Sequence, residues 1–238
     1  MPVPSYIITC TRNDKIARDV YDFRFTRPGE FSFQAGQFIL FDVGLIENPA
    51  DIQTRAFSIA SAATEDELVF IAKLKEGGRA SRWIDEKLKP GDTVRIQGPF
   101  GRFIVPTQST KNILFIATST GVAPFRAQII EALERKDGRR MDLVFGVRGE
   151  EDLFWKEELE ELATRYENFF VHFALSNPSG DWKGHRGRVQ TLVPLIDPDI
   201  GQREVFVCGS PDMTKELKQL CLEEWKVPKE SLHVEGYI

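Results

Sequence analysis

The hydrophobic pattern changes period partway along the chain, and that change limits the fold more than any other feature. Up to about residue 106, apolar residues come in short runs parted by turn signals: SYIITCTR, VYDFRFTRP, GQFILFDV, TRAFSIAS, ELVFIAKL and DTVRIQG. In VYDFRF, Tyr21, Phe23 and Phe25 fall on one face and Asp22 and Arg24 on the other, the two-residue period of a half-buried antiparallel strand. Six such strands predict a small closed barrel, interrupted by one helical insert from roughly Arg79 to Leu88. From Lys111 the pattern is different. NILFIAT is apolar without alternation, as in a strand buried on both faces. A helix from Pro124 to about Arg135 comes next, then MDLVFGV, a charged helix EDLFWKEELEELATR, FFVHFAL, a helix near VQTLVPLI, EVFVCG, a helix PDMTKELKQLCLEEW, and LHVEGY. Strands alternating with helices predict a parallel sheet. The expected architecture is an all-β antiparallel barrel domain (residues 1–106) followed by an α/β doubly wound parallel-sheet domain (residues 107–238), joined at the polar stretch VPTQSTK.

Composition narrows the functional classes. At 238 residues the chain has room for two domains of ordinary size. No apolar run approaches the roughly 18 residues of a membrane span, and MPVPSYIITC lacks the basic-then-apolar order of a signal peptide. A cytoplasmic protein is therefore expected. The first 106 residues carry 14 basic and 14 acidic side chains, so the net charge of −5 belongs to the remainder, which argues against nucleic acid as a partner. Cys10, Cys208 and Cys221 are too few and too scattered for a disulfide framework, a zinc site or an iron–sulfur cluster. His172, His185 and His233 show no ligand spacing, so no metal is expected and the histidines read as structural.

Five stretches carry the candidate chemistry. RAFSIAS (Arg55 to Ser61) is a strand opening on an arginine, with small residues along one face. EGGRAS (Glu76 to Ser81) is a glycine pair running into a helix, where exposed N–H groups attract anions. GPFGRF (Gly98 to Phe103) ends the barrel half. FIATSTGVAPF passes from a buried strand into a helix through Ser, Thr and Gly, at the strand end where such sheets bind ligands, although it is neither G-x-G-x-x-G nor a P-loop. FVCGSPDM repeats that arrangement, with Cys208 and Gly209 ending a strand and Pro211 opening a helix. Taken singly each has a plain structural reading: a surface arginine, a tight turn, a small buried thiol.

Taken in order, these stretches resemble the ferredoxin–NADP⁺ reductase superfamily over nearly the whole chain. RAFSIAS is similar to its R-x-(Y/F)-S flavin signature, EGGRAS to its flavin pyrophosphate loop, ATSTGVAPFR to its T-G-T-G-I-A-P-F-R nicotinamide loop, CGSPDM to its C-G-x-P-x-M and HVEGY to its H-V-E-x-Y ending. The resemblance implies FAD on the barrel and NADPH or NADH on the carboxyl edge of the sheet. It gives Arg55, Phe57, Ser58, Ile59, Gly78, Arg79, Ala80 and Ser81 to the flavin, with Ser58 near flavin N5 and Phe57 against one ring face. It gives Thr118, Thr120, Gly121, Cys208, Gly209 and Met213 to the nicotinamide dinucleotide, with Ser58, Cys208, Glu235 and Tyr237 around the reacting atoms. Tyr237 would stack on the second flavin face and yield to nicotinamide. Cys208 takes no nucleophilic role, since no base stands near it in the pattern.

Departures from the family pattern sharpen the reading. Phe57 replaces the usual Tyr, Ser119 stands where Gly is usual, and Ile238 comes after the aromatic. Ser176-Asn177 occupies the place where NADP⁺-specific members carry Ser-Arg, yet Arg148, Ser176, Lys183, Arg186 and Arg188 could still hold a 2′-phosphate, a slight lean to NADPH. The expected activity is electron transfer between NAD(P)H and a ferredoxin or flavodoxin through FAD, by a monomer or weak dimer. The alternatives are a reductase of free flavin, the reductase component of an oxygenase, or a non-catalytic electron-transfer subunit.

Overall fold

A computed structural model describes residues 3–237; the expectation for Ile238 lies outside them. The chain folds as two compact units, one of residues up to Val105 with Ala123–Glu131, the other of Pro106–Val122 with the residues from Ala132 on. Among the described residues no helix is long and apolar enough to cross a membrane.

The first unit is the barrel. Its strands are β1 (Ser5–Ala17), β2 (Val20–Thr26), β3 (Phe38–Gly44), β4 (Ile52–Ser58), β5 (Glu67–Lys73) and β6 (Thr93–Phe100), antiparallel in the order β4-β3-β6-β1-β2-β5. Just beyond β4 the chain joins the far edge: the Ala60 N–H donates to the Val69 carbonyl (2.8 Å), and the Val69 N–H donates to Ser61 Oγ (3.1 Å). These bonds bring the two outer strands together and shorten the edge left open to another chain. Phe23, Phe25, Phe41 and Phe70 fill the interior with mostly edge-on contacts, each ring contributing about 1.5–3 kcal/mol by leaving water. The alternation read in β2 places Phe23 and Phe25 inside, but its other face is not solvated. Asp22 is buried there, held by a two-pronged pair to Arg24 (2.8 and 3.0 Å) that supplies what water no longer can. The helical insert is one α-helical turn, α1 (Arg79–Arg82), widening into a π-helical turn over Trp83–Lys87. Asn13 Nδ2 donates to the carbonyls of Ile84 and Leu88 (2.7 and 2.9 Å), which the wide turn leaves without helical partners.

The second unit is the parallel sheet, β7 (Ile113–Thr118), β8 (Met141–Val147), β9 (Phe169–Leu175), β10 (His185–Arg186), β11 (Glu204–Gly209) and β12 (Leu232–Gly236), in the order β10-β9-β8-β7-β11-β12. Every residue of β8 is buried, as continuous apolar strands between helical layers require. Its helices are α3 (Lys156–Arg165), α4 (Val189–Ile196) and α5 (Pro211–Glu223); α2 (Ala123–Glu134) gives its first nine residues to the barrel unit. The charged helix therefore begins at Lys156 and not at Glu151. Glu150–Asp152 form a tight 3₁₀ turn, Phe154 buries itself against Phe145, and Trp155 adopts a left-handed backbone (φ +54°) that cannot continue a helix. β10, two residues long, carries no apolar run and so gave no signal in the sequence.

Candidate functional site

The strand order reverses between β7 and β11, and this is where an open parallel sheet leaves a crevice at its carboxyl end. The chain after β7 makes a 3₁₀ turn, Ser119–Val122, that leads into α2. A Cβ on Gly121 would lie 2.3 Å from the Cys208 carbonyl oxygen, so only glycine lets this turn press against the end of β11. Gly209 has φ +156°, and a Cβ there would lie 2.3 Å from Thr118 Oγ1 and 2.4 Å from Met213 Cε. Two strand-to-helix turns thus approach backbone to backbone, forming a cradle that added side chains would fill. α5 is fixed beyond it by Ser210, whose hydroxyl accepts from the Met213 N–H (3.4 Å).

β12 brings the last described residues to the same place. Cys208 pairs with Glu235 and Gly209 with Gly236, and the Tyr237 N–H donates to the Gly209 carbonyl (2.8 Å). Thr118, Gly121, Cys208, Gly209, Met213, Glu235 and Tyr237 are therefore one neighbourhood, with Thr120 in the turn beside them. The Cys208 thiol is fully buried, and burial first, then the charge of Glu235, push its pKa far up; the Tyr237 hydroxyl and the Gly209 backbone offset this only in part. It is a neutral packing group at physiological pH. Ser119 adopts the left-handed backbone (φ +51°), the conformation that explains why glycine suits this position.

Arg148, Ser176, Arg186 and Arg188 gather at the carboxyl ends of β8, β9 and β10, apart from that neighbourhood in the strand order. The Ser176 N–H donates to the Val147 carbonyl (3.1 Å) and the Asn177 N–H to that of Arg148 (2.7 Å). Arg186 is otherwise occupied than the sequence suggests: one guanidinium nitrogen donates to the carbonyls of Ser179, Gly180 and Trp182 (2.8, 2.8 and 3.0 Å) and shapes that loop. Arg148 and Arg188 are exposed.

In the barrel, Arg55 lies on β4 with its guanidinium donating to the Thr54 carbonyl (2.8 Å) and Gln53 Oε1 (2.9 Å). Phe57 is half-buried and stands edge-on to Phe23 and Phe41. Ser58 is buried at the strand end, and the Ile59 N–H donates to the Gln37 carbonyl (2.9 Å). Gly78 is in a close turn: its N–H donates to the Lys75 carbonyl (2.9 Å), and a Cβ would meet Ser81 Oγ at 2.9 Å. Ser81 Oγ already accepts from the Lys75 N–H (2.8 Å), the Arg79 guanidinium pairs with Asp51 (3.0 Å), and Ala80 comes next in the helical turn.

Sequence reading missed three polar residues of α2. Arg126 is buried and donates to the Ala60 carbonyl (2.9 Å) and to both oxygens of Glu65 (2.8 and 3.0 Å), just past Ser58 and Ile59. Gln128 bonds the Phe103 carbonyl, and Glu131 accepts from the Ala35 N–H (3.3 Å). The available signal was an arginine and a glutamine within the apolar run VAPFRAQIIEAL, since polar groups on a buried stripe need designated partners. Sequence reading also missed Glu150, whose carboxylate accepts from Ser179 across a loop that no local pattern announces.

A closed antiparallel barrel joined to a doubly wound sheet with a glycine cradle at its switch point defines a two-unit dinucleotide-binding architecture. The family model of the oxidoreductase FAD-binding domain matches residues 8–104, and that of the oxidoreductase NAD-binding domain matches residues 115–219. The chain is 34% identical over 214 residues to ferredoxin–NADP reductase B of Sorangium cellulosum, covering 87% of this chain and 86% of that one. It is 36% identical over 185 residues to the reductase component of a phenol 2-monooxygenase from a Pseudomonas species, covering 76% of this chain but only 51% of that protein. The crystal structure of a cytochrome P450 reductase from Amycolatopsis superposes with a TM-score of 0.87 at 26% identity, over 99% of this chain and 71% of the other. The chain belongs to the ferredoxin–NADP⁺ reductase superfamily of FAD- and NAD-binding oxidoreductases.

Proposed function

We propose that the chain passes electrons between NAD(P)H and a ferredoxin or flavodoxin through FAD. The observation that carries this is the convergence of the Thr118–Gly121 turn, the Cys208–Gly209 strand end and Glu235–Tyr237 at the switch point of the sheet. Residues 1–106 serve as the flavin domain and 107–238 as the nicotinamide domain, in a cytoplasmic monomer or weak dimer. FAD, when bound, supplies the conversion between two-electron hydride chemistry and one-electron steps.

The residues divide the remaining work. Arg55 gives charge to the flavin pyrophosphate, and Gly78, Arg79, Ala80 and Ser81 approach it through backbone and hydroxyl groups. Phe57 offers a ring to the isoalloxazine, and Ser58 and Ile59 fix the strand beside its reacting nitrogen. Thr118, Thr120 and Gly121 receive the nicotinamide dinucleotide's pyrophosphate, while Gly209 and Met213 close the cradle. Cys208, as a neutral thiol, shapes the nicotinamide's seat without accepting a proton, Glu235 adds a carboxylate there, and Tyr237 is the ring that yields to nicotinamide. Arg148, Ser176 and Arg188 serve the adenosine end, and Arg186 supports it by shaping the loop through the carbonyls of Ser179, Gly180 and Trp182.

A second reading, the reductase component of an oxygenase, is favoured by the 36% identity to the phenol 2-monooxygenase reductase, of which this chain spans about half. Flavin released by heat from the purified protein, identified by chromatography, and NAD(P)H oxidation with ferredoxin, flavodoxin or free flavin as acceptor test the proposal. One FAD per chain and rapid reduction of a protein carrier are expected. Turnover only with added free flavin would instead make the protein a flavin reductase. Tyr237→Ser should ease nicotinamide use and change the flavin spectrum; no change in either removes Tyr237 from this role.

A further inference from the structure

The chain leaves β4 at Ser58 without turning into solvent: Ile59, Ala60, Ser61 and Ala62 are fully buried, yet none of them lies in a strand. A buried irregular stretch must still pair its backbone groups. The Ile59 N–H donates to the Gln37 carbonyl (2.9 Å), the Ala60 N–H to that of Val69 (2.8 Å) and the Ala62 N–H to Glu65 Oε2 (2.7 Å). The Ala60 carbonyl accepts from a side chain of α2, Arg126 Nη1 (2.9 Å).

Arg126 is itself only 6% exposed, and Glu65 matches its charge, Oε2 accepting from Nη1 (2.8 Å) and Oε1 from Nη2 (3.0 Å). A buried ion pair is often no more stabilising than apolar side chains of the same volume. What this pair adds is geometry, because a planar guanidinium fixes several bond directions at once. Nη1 serves the Ala60 carbonyl and Glu65 together, and the same Glu65 oxygen takes the Ala62 N–H, so Arg126, Glu65 and residues 60–62 form a closed set of bonds. Ser58 and Ile59 come immediately before that set. Three residues ahead of Arg126, α2 begins at Ala123, directly after the Ser119–Val122 turn. Gln128 and Glu131 of the same helix bond other segments, at Phe103 and Ala35.

We propose that Arg126 is a positioning residue for hydride transfer: through the Ala60 carbonyl it fixes the strand end that carries Ser58 and Ile59. The inference rests on the reading of Ser58 as the residue beside the flavin's reacting nitrogen. The step breaks a C–H bond at nicotinamide C4 and forms an N–H bond at flavin N5, two electrons passing with the hydrogen, and Arg126 exchanges nothing in it. Its contribution is to hold in place a residue that does face the reacting atoms, where small displacements slow the reaction steeply.

The test compares Arg126→Met with Gln128→Met in the FAD-loaded full-length protein. Both remove a buried polar group from α2 and replace it with an apolar one, but only the first releases Ala60. Hydrogen exchange at the Ile59 and Ala60 amides should quicken by about tenfold in Arg126→Met and keep the wild-type rate in Gln128→Met. Flavin reduction by saturating NADH or NADPH, followed by stopped-flow absorbance, should slow by about tenfold or more in Arg126→Met, with the nucleotide's Kd unchanged. Gln128→Met should reduce its flavin at the wild-type rate. Equal slowing in the two variants leaves Arg126 only a packing role and overturns the inference, as does wild-type exchange at Ile59 and Ala60 in Arg126→Met. Where Arg126→Met does not fold, Arg126→Lys decides: it keeps a charge opposite Glu65 without the fork that serves two acceptors, and a wild-type reduction rate in it is equally fatal. Ser58→Ala separates the inference from the reading beneath it. Slow reduction in Ser58→Ala beside wild-type reduction in Arg126→Met overturns the inference alone. Wild-type reduction in Ser58→Ala overturns the reading of Ser58, and the inference with it.

Discussion

The two ends of the parallel sheet solve opposite problems. At the amino ends of its strands, charges are buried and matched. Asp142 is fully buried and accepts from Arg140 (2.8 and 2.9 Å), Arg203 (2.8 Å) and His172 (3.1 Å), while Arg203 also reaches Asp197. Glu204 accepts from the Ser109 hydroxyl (2.7 Å) and bonds His233 (3.0 Å), whose ring stacks on Phe206. At the carboxyl ends, glycines meet backbone to backbone, Ser119 holds a left-handed conformation and a thiol is kept neutral. One end locks the sheet with saturated side chains. The other leaves backbone close to an open crevice, which a locked network would fill.

The contrast is open to test, beginning with its largest consequence. Asp142→Ala removes the buried carboxylate shared by Arg140, Arg203 and His172 and should cost about 3–5 kcal/mol in chemical denaturation, without removing the glycine cradle. A loss under about 1 kcal/mol would mean the network is only decorative. Gly121→Ala drives a Cβ into the Cys208 carbonyl, so the turn must move. A rise of tenfold or more in KM for the nicotinamide nucleotide is expected, since a displacement of about 1 Å can cost that and more, with bound flavin retained. Unaltered KM would separate this turn from the nucleotide.

The pH dependence rests on Asp142. Its partners outweigh the opposing effect of burial and hold the carboxyl well below its ordinary value. A depressed folded value means the stabilisation is present above the unfolded carboxylate pKa of about 4 and is lost as pH falls toward the folded one. Urea midpoints should therefore drop on acidification below about pH 4–5, and drop less steeply in Asp142→Asn. An equally steep fall in the variant would assign the effect to other carboxylates. The smallest effect belongs to the other end. Ser119→Gly relieves about 1–2 kcal/mol of left-handed strain and returns about 0.5–1 kcal/mol of backbone entropy cost. A net gain of about 0.5–1 kcal/mol is expected, read as a small rise in Tm. Destabilisation would show that the serine side chain makes a stabilising contribution there.

Much of this was legible from local pattern. Phe23 and Phe25 alternate because strands expose opposite faces at successive residues, and ILFIAT is unbroken because helices cover both sides of the sheet. TSTG and CGSP announced turns at strand ends through residues whose backbone or side-chain chemistry suits those turns. Those signals fixed the barrel, the doubly wound sheet, the family, and Gly121, Cys208 and Gly209 as candidate site residues. What only the tertiary structure decided were the partnerships of polar side chains: Asp22 buried with Arg24, Arg126 reaching Ala60 and Glu65, Arg186 bonded to its own loop, and Glu150 held by Ser179. Hydrophobic burial follows periodicity, which is written along the chain. A charge shows its role only with its partner, and these partners stand up to 66 residues away in sequence, brought together by folding.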